Sequence, residues 1–167
     1  NYINVETGDI EVYNSTSGAM AVAGLALASQ YYDKPEYLAV AEQIGNVYYK
    51  EFSRIGFTSG GCGDILQNAD SETSVAFLTS CNLLYELTRK TVWLKRAQDV
   101  ADLCSTWVIS YDYVLPKETE LAKVDGRLTG AVWASTQNKH SAPGFCTSSA
   151  DALFRLFRAT SDLRYAD

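Results

Sequence analysis

The sequence lacks an uninterrupted apolar run of the roughly 18–20 residues that a membrane-spanning helix requires, so no membrane span is predicted. It also has few basic residues: 14 Lys and Arg are scattered among 20 Asp and Glu, with no run longer than two. A basic patch for nucleic acid is therefore not expected. The first residues form no basic segment followed by an apolar one, so we expect no signal peptide.

Sequence motifs for cofactors and metals are missing as well. There is no Gly-rich phosphate loop, no His-x-x-x-His pair and no G-x-S-x-G segment. Among the four cysteines, Cys81 and Cys104 fall at apolar helix positions, where a thiol behaves as a small hydrophobe. Cys62 and Cys146 fall in loops and could form a disulfide, bind metal or do neither. Because no Cys-x-x-Cys pair occurs, we predict no metal ion, and we predict no cofactor.

Two kinds of helix, by contrast, alternate along the chain. Residues 16–32 carry no charge and are apolar nearly all round, which is typical of a buried helix, and residues 70–88 and 148–160 are predicted to repeat this buried type. Residues 36–52 and 92–109 instead carry one apolar stripe opposite a polar face, which predicts half-exposed helices. Short turns join each buried helix to the next amphipathic one. The sequence thus predicts an all-α protein made of tandem antiparallel helical hairpins.

The hairpins repeat in register. Tyr37-Leu38 lies 56 residues before Trp93-Leu94, and an Ala follows each of these aromatic residues four positions later. A third amphipathic helix is predicted to begin at Tyr165, close to the last residue, Asp167. We therefore expect residues 1–167 to form one segment of about three hairpins, the last of them truncated, within a longer protein.

The loops between hairpins are long. They cover residues 53–69 and 112–147, whereas loops beyond about 12–15 residues are uncommon unless they are functional or disordered. In stacked hairpins every buried helix points the same way, so both loops should gather over the N-termini of these helices. Free backbone N–H groups and the positive end of the helix dipole lie there. We predict the functional face at this end, called the long-loop end below.

Alternating buried and amphipathic helices with short turns at one end and long loops at the other resemble the (α/α)6 toroid of six-hairpin glycosidases. The segments YDKPEYLAVAEQI, TRKTVWLKRAQDV and RATSDLRYAD carry the resemblance. Six such hairpins would need roughly twice the present length, so the chain corresponds to about half a toroid. The resemblance implies a glycoside hydrolase acting on a poly- or oligosaccharide outside the cytoplasm. It also implies a partner for the open flank, either the remainder of the toroid or a second copy.

A further segment, FCTSSADALFRLFRATSDLRYAD, is similar to the β-L-arabinofuranosidases that use cysteine and zinc. In that family a Glu two residues before the cysteine binds the metal. Here Gly144 stands two residues before Cys146, so the expected ligand is missing. The resemblance therefore implies no zinc-thiolate mechanism for this chain.

Candidate catalytic residues follow from the implied reaction, because glycoside hydrolysis usually needs two carboxyl groups. Asp64 follows a flexible Gly-Gly-Cys-Gly segment, and Asp70 precedes a buried helix, where it could instead serve as a helix N-cap. His140 is the only histidine and could act as acid, base or orienting group. We predict Asp64, Asp70 and His140 as catalytic candidates.

Candidate substrate-binding residues lie in the same loops. Trp133 could stack on a sugar ring, and polar neighbours offer hydrogen-bond donors and acceptors. The predicted binding residues are Gln67, Trp133, Gln137, Asn138 and Lys139. Two other functions fit the pattern: a non-catalytic helical-hairpin module that binds glycan or protein, and a toroid lyase that cleaves acidic polysaccharide.

Overall fold

The computed structural model describes residues 2–12, 15–60, 68–137 and 150–166. Within these ranges the chain is mostly helical, as predicted. The helices are α1 (Ala19–Tyr31), α2 (Pro35–Ile55), α3 (Ser71–Thr88), α4 (Thr91–Ser105), α5 (Glu120–Lys123) and α6 (Ala150–Thr160), and a 3-10 turn covers Leu163–Tyr165. Strands β1 (Tyr2–Ile3) and β2 (Ile10–Val12) pair as an antiparallel hairpin before the first helix.

The helices form two layers of hairpins. In one layer α3 packs between α1 and α6, and it also contacts its hairpin partner α4 and the preceding helix α2. Side chains of α2 and α4 meet in the second layer: the Tyr49 hydroxyl donates to Asp99 Oδ2 at 2.6 Å, and Arg96 donates to Asn46 Oδ1 at 2.6 Å. The predicted tandem hairpins are therefore present, with α3 at their centre.

The turns at the opposite end from the long loops share one backbone conformation. Arg89 and Ser161 directly follow α3 and α6, Asp33 follows α1 after one further residue, and the three φ angles are 53° at Asp33, 57° at Arg89 and 58° at Ser161. Non-glycine residues rarely adopt this left-handed region. An aromatic residue follows each of them by four positions: Tyr37, Trp93 and Tyr165. The same uncommon turn in all three hairpins shows that the repeat is structural as well as sequential.

Burial follows the repeat. Each buried residue of α1 has a buried counterpart in α3, 55 residues later. The pairs are Ala19 and Ser74, Val22 and Phe77, Ala23 and Leu78, Ala26 and Cys81, and Ser29 and Leu84. The two helices thus present equivalent faces to the core, and larger side chains fill most of these positions in the central helix α3.

Three expectations from the sequence are wrong in detail. The third predicted buried helix, α6, buries only Ala152 and Leu156 among residues 151–160, and its opposite side is exposed. Although α1 carries no charge, Met20, Leu27 and Tyr31 on one side of it are 50%, 48% and 83% exposed. The helix was expected to be buried all round, but α2 and α3 cover only part of its surface. The helix predicted to reach Ile109 ends at Ser105, because residues 107–109 pair with a distant segment of the chain.

The two helical cysteines lie in the core, as predicted. Cys81 and Cys104 are free thiols in buried positions. Burial raises the pKa of the Cys81 thiol far above its ordinary value, and it raises the pKa of Cys104 to about 12. Both groups therefore stay protonated and unreactive at neutral pH. Cys62 and Cys146 lie outside the described residues.

Candidate functional site

The two long loops meet at the N-termini of α1 and α3. The backbone N–H of Thr16, just before α1, donates to the carbonyl of Ser59 at 2.8 Å. At α3, the N–H of Ser71 donates to the carbonyl of Ala134 at 3.0 Å, and the N–H of Thr136 donates to that of Ala69 at 2.9 Å. The expectation that the loops are neighbours over these helix ends is therefore confirmed.

Asp70 caps α3. Its backbone is extended, and its Oδ1 accepts hydrogen bonds from the Thr73 N–H at 2.7 Å and from the Thr73 hydroxyl at 2.9 Å. The residue is 0% exposed. The prediction of an N-cap at this position is confirmed, and the carboxylate is held inside the loop end rather than on its surface. Its candidate catalytic role stays a prediction.

Asn68 joins the two loops and was missed in the sequence. Its Oδ1 accepts from the Thr136 hydroxyl at 2.7 Å and from the Gln137 N–H at 3.2 Å, and the residue is buried. The partners stand almost seventy positions away in the chain, so no local pattern points to this contact. Asn68 fixes the backbone of Gln137, one of the predicted binding residues, against the first long loop.

Trp133 stands on a short two-stranded ribbon beside these contacts. Its N–H donates to the carbonyl of Trp107 at 2.9 Å, and Val132 pairs with Val108 in an antiparallel bridge. Ile109 completes the ribbon by donating to the carbonyl of Ala131 at 2.9 Å. Trp133 is half-buried, so part of the side chain remains accessible at the long-loop end.

Small polar residues fill the interior of this end. Burying a hydroxyl group is costly unless it is hydrogen-bonded, and several of these side chains bind backbone atoms of another segment, whereas the Ser59 hydroxyl has no partner among the described residues. Thr16 and Ser59 illustrate the arrangement, since the Thr16 hydroxyl both donates to the Ser59 carbonyl and accepts from the Ser59 N–H. The buried polar residues here are Ser15, Thr16, Thr58, Ser59, Asn68, Asp70, Ser71, Thr73, Ser74 and Ser135. The loops are thus fixed by specific hydrogen bonds.

The remaining predicted site residues cannot be located. Asp64, Gln67, Asn138, Lys139 and His140 lie outside the described residues. The structure brings Asp70, Trp133 and Gln137 to one end of the molecule.

Within the described ranges, no group of three or more His, Cys, Asp or Glu side chains is arranged to hold a metal ion. None of the helices described there is long and apolar enough to cross a membrane. Comparison with known proteins found no matching protein family, no matching curated protein and no matching solved structure.

Proposed function

We propose that this chain is a segment of a carbohydrate-active enzyme, a glycoside hydrolase that binds a poly- or oligosaccharide at the long-loop end. One observation carries the proposal: the two long loops are hydrogen-bonded to each other over the N-terminus of α3. It ties the backbone of Gln137, in the loop that carries Trp133, to Asn68 of the first long loop. In this proposal Asp64 and His140 act on the glycosidic bond, and Trp133 stacks on a sugar ring.

We further propose that the hairpins form about half of an (α/α)6 toroid. The two-layer packing supports this arrangement, because α1, α3 and α6 lie side by side and α2 and α4 cover them from one face. The positive φ angles shared by Asp33, Arg89 and Ser161 support it as well, since they mark the same point in successive units. Sugar-binding groups would then collect at the long-loop end, opposite these turns.

The burial of Asp70 favours one alternative function. A hydrolase needs two carboxyl groups that reach the substrate, and the Asp70 carboxylate is occupied with capping α3. If no second accessible carboxyl group accompanies Asp64, the same surface would serve a non-catalytic module that binds glycan.

Replacing Trp133 with alanine is expected to weaken oligosaccharide binding by about tenfold or more, because an aromatic face that loses its partner forfeits on the order of 1–2 kcal/mol. Isothermal titration of the intact protein with neutral and acidic hexasaccharides measures the change. Tyr32→Ala is the matched control: Tyr32 is 62% exposed but lies at the short-turn end. Equal affinity of Trp133→Ala and the unsubstituted protein would reject the site.

The exposed side of α1 supports the proposed partner, either the remainder of the toroid or a second copy. Met20, Gly24 and Leu27 of α1 line a groove of about 470 Å³ together with Leu83 and Leu87 of α3. Such an open apolar surface next to a helix without charge favours packing against another helix.

The purified chain is therefore expected to self-associate when no further toroid segment is present. Sedimentation velocity should show larger species at increasing concentration, and Leu27→Glu should shift the distribution to monomer, because a charge on this face resists burial. Val47→Glu serves as control, since Val47 is 68% exposed on the outer helix α2. A monodisperse, folded monomer at all concentrations would contradict the expectation.

A further inference from the structure

Two exposed tyrosines stand on the segment that follows the ribbon. Tyr111 is 60% exposed and Tyr113 is 40% exposed. Their rings meet edge to face with the centroids 4.9 Å apart and an interplanar angle of 68°. Aromatic pairs prefer this geometry, and the contact restrains both rings although solvent reaches them. The pair thus offers a preformed aromatic surface.

The loop that carries the pair is anchored by the residue between the two tyrosines. Asp112 Oδ1 accepts from the Leu128 N–H at 2.8 Å and from the Thr129 N–H at 2.9 Å. These two backbone hydrogen bonds lower the pKa of Asp112 below its ordinary value, so the anchor remains ionised at neutral pH. A ligand binding here would not have to order the loop first, which reduces the entropic cost of binding.

The tyrosine pair lies close along the backbone to the residue that pairs with Trp133. Tyr111 follows Trp107 by four residues, and the carbonyl of Trp107 accepts from the N–H of Trp133 at 2.9 Å. Four residues span at most about 14 Å even when fully extended. A short oligosaccharide lying along the ribbon therefore reaches from Trp133 to the tyrosine pair.

We propose that Tyr111 and Tyr113 form a second sugar-binding subsite, which stacks on the apolar face of a neutral pyranose one or more units away from Trp133. The inference rests on the proposed carbohydrate-binding function and adds the subsite and the class of sugar. The ring faces supply the stacking surface, and the phenol hydroxyls supply donors and acceptors for sugar hydroxyls. Neither tyrosine brings a charge to a sugar, so the stacking surface itself suits a neutral ring.

The test uses isothermal titration of the intact protein with cellohexaose, xylohexaose and mannohexaose, and with an oligogalacturonate hexamer as the acidic probe. The double variant Tyr111→Ala/Tyr113→Ala should bind the preferred neutral hexaose about tenfold more weakly than the unsubstituted protein. Its melting temperature should be nearly unchanged, since both side chains are exposed and Asp112 is kept. If that variant unfolds, the single variants Tyr111→Ala and Tyr113→Ala replace it, and each should bind the preferred hexaose more weakly than the unsubstituted protein does.

The chain supplies a matched control pair. Tyr31 and Tyr32 also meet edge to face, with centroids 4.8 Å apart, but they lie at the opposite end of α1. Tyr31→Ala/Tyr32→Ala should leave the affinity unchanged. An equal loss in both double variants, or no loss in Tyr111→Ala/Tyr113→Ala while Trp133→Ala does weaken binding, overturns the subsite alone. Tighter binding of oligogalacturonate than of any neutral hexaose overturns the neutral assignment. Absence of binding to all four probes overturns the subsite together with the proposed function.

Discussion

Replacing Trp93 with alanine is expected to lower the free energy of unfolding by about 3–5 kcal/mol, the range found for truncating large buried aromatic residues. Trp93 is 1% exposed, and its Nε1 donates to Glu42 Oε1 at 3.0 Å. The Arg96 guanidinium stacks over the ring at 4.4 Å. The side chain therefore joins α4 to α2 through packing, a hydrogen bond and a cation–π contact. Urea denaturation followed by circular dichroism measures the loss.

Two further variants test whether the loss of unfolding free energy comes from the burial of Trp93 or from its position in the repeat. Tyr37 occupies the corresponding site of the first hairpin but is 37% exposed, so Tyr37→Ala should cost less than about 1 kcal/mol. Trp93→Phe removes the hydrogen bond to Glu42 but keeps an aromatic ring, so an intermediate loss of about 1–2 kcal/mol is expected. Similar losses of unfolding free energy for Trp93→Ala and Tyr37→Ala would show that the burial of Trp93 adds nothing to stability.

Trp93 is buried and Tyr37 is partly exposed, and this difference shows which features the sequence repeat could predict. The sequence pattern predicted an aromatic residue, followed four positions later by Ala, at the start of each second-layer helix. Ala41 and Ala97 are indeed both 0% exposed. Burial of the aromatic residue depends on a neighbouring hairpin, however. Trp93 packs toward Gly45, where an added Cβ would lie 2.8 Å from its ring, so the first hairpin covers the second.

The same dependence on neighbours explains the error about α1. Its composition predicted burial on every side, because a helix without charge is typical of a core. Packing against α2 and α3 leaves Met20, Leu27 and Tyr31 exposed. The composition of a helix indicates which surroundings it prefers. How much of its surface is covered depends on which other helices pack against it in the folded protein.

Local patterns predicted the helices and the cap at Asp70 but not the contacts that build the site. The N-cap follows from one residue type at a helix start. The ribbon of residues 107–109 and the bridge through Asn68 join segments that are distant in sequence, and the residues themselves carry no special periodicity. Pairing of this kind depends on where the helices bring the loops, so the neighbouring loops could be predicted while their hydrogen bonds could not.

Substitutions at Asp70, Asp64 and His140 are expected to separate the structural carboxylate from the catalytic groups. Asp70→Asn keeps an Oδ1 acceptor for the Thr73 N–H and hydroxyl, so the cap should be retained. Asp70→Ala removes the acceptor and should cost about 1–2 kcal/mol of stability. Because the Asp70 carboxylate is buried, turnover of the preferred oligosaccharide should survive in Asp70→Asn.

Asp64→Asn and His140→Ala should instead reduce turnover by at least about a hundredfold, the scale of losing a general acid or base, while the melting temperature stays nearly constant. Reducing-sugar release from the preferred hexasaccharide by the full-length protein measures turnover, and differential scanning calorimetry measures melting.

The Asn variants are the most informative pair, because each exchanges only a carboxylate for an amide of the same shape. Loss of turnover in a folded Asp70→Asn protein, with full activity in Asp64→Asn, would reverse the assignment and make the buried cap the reacting carboxylate. Unchanged turnover in both Asp64→Asn and His140→Ala would remove these residues from the mechanism.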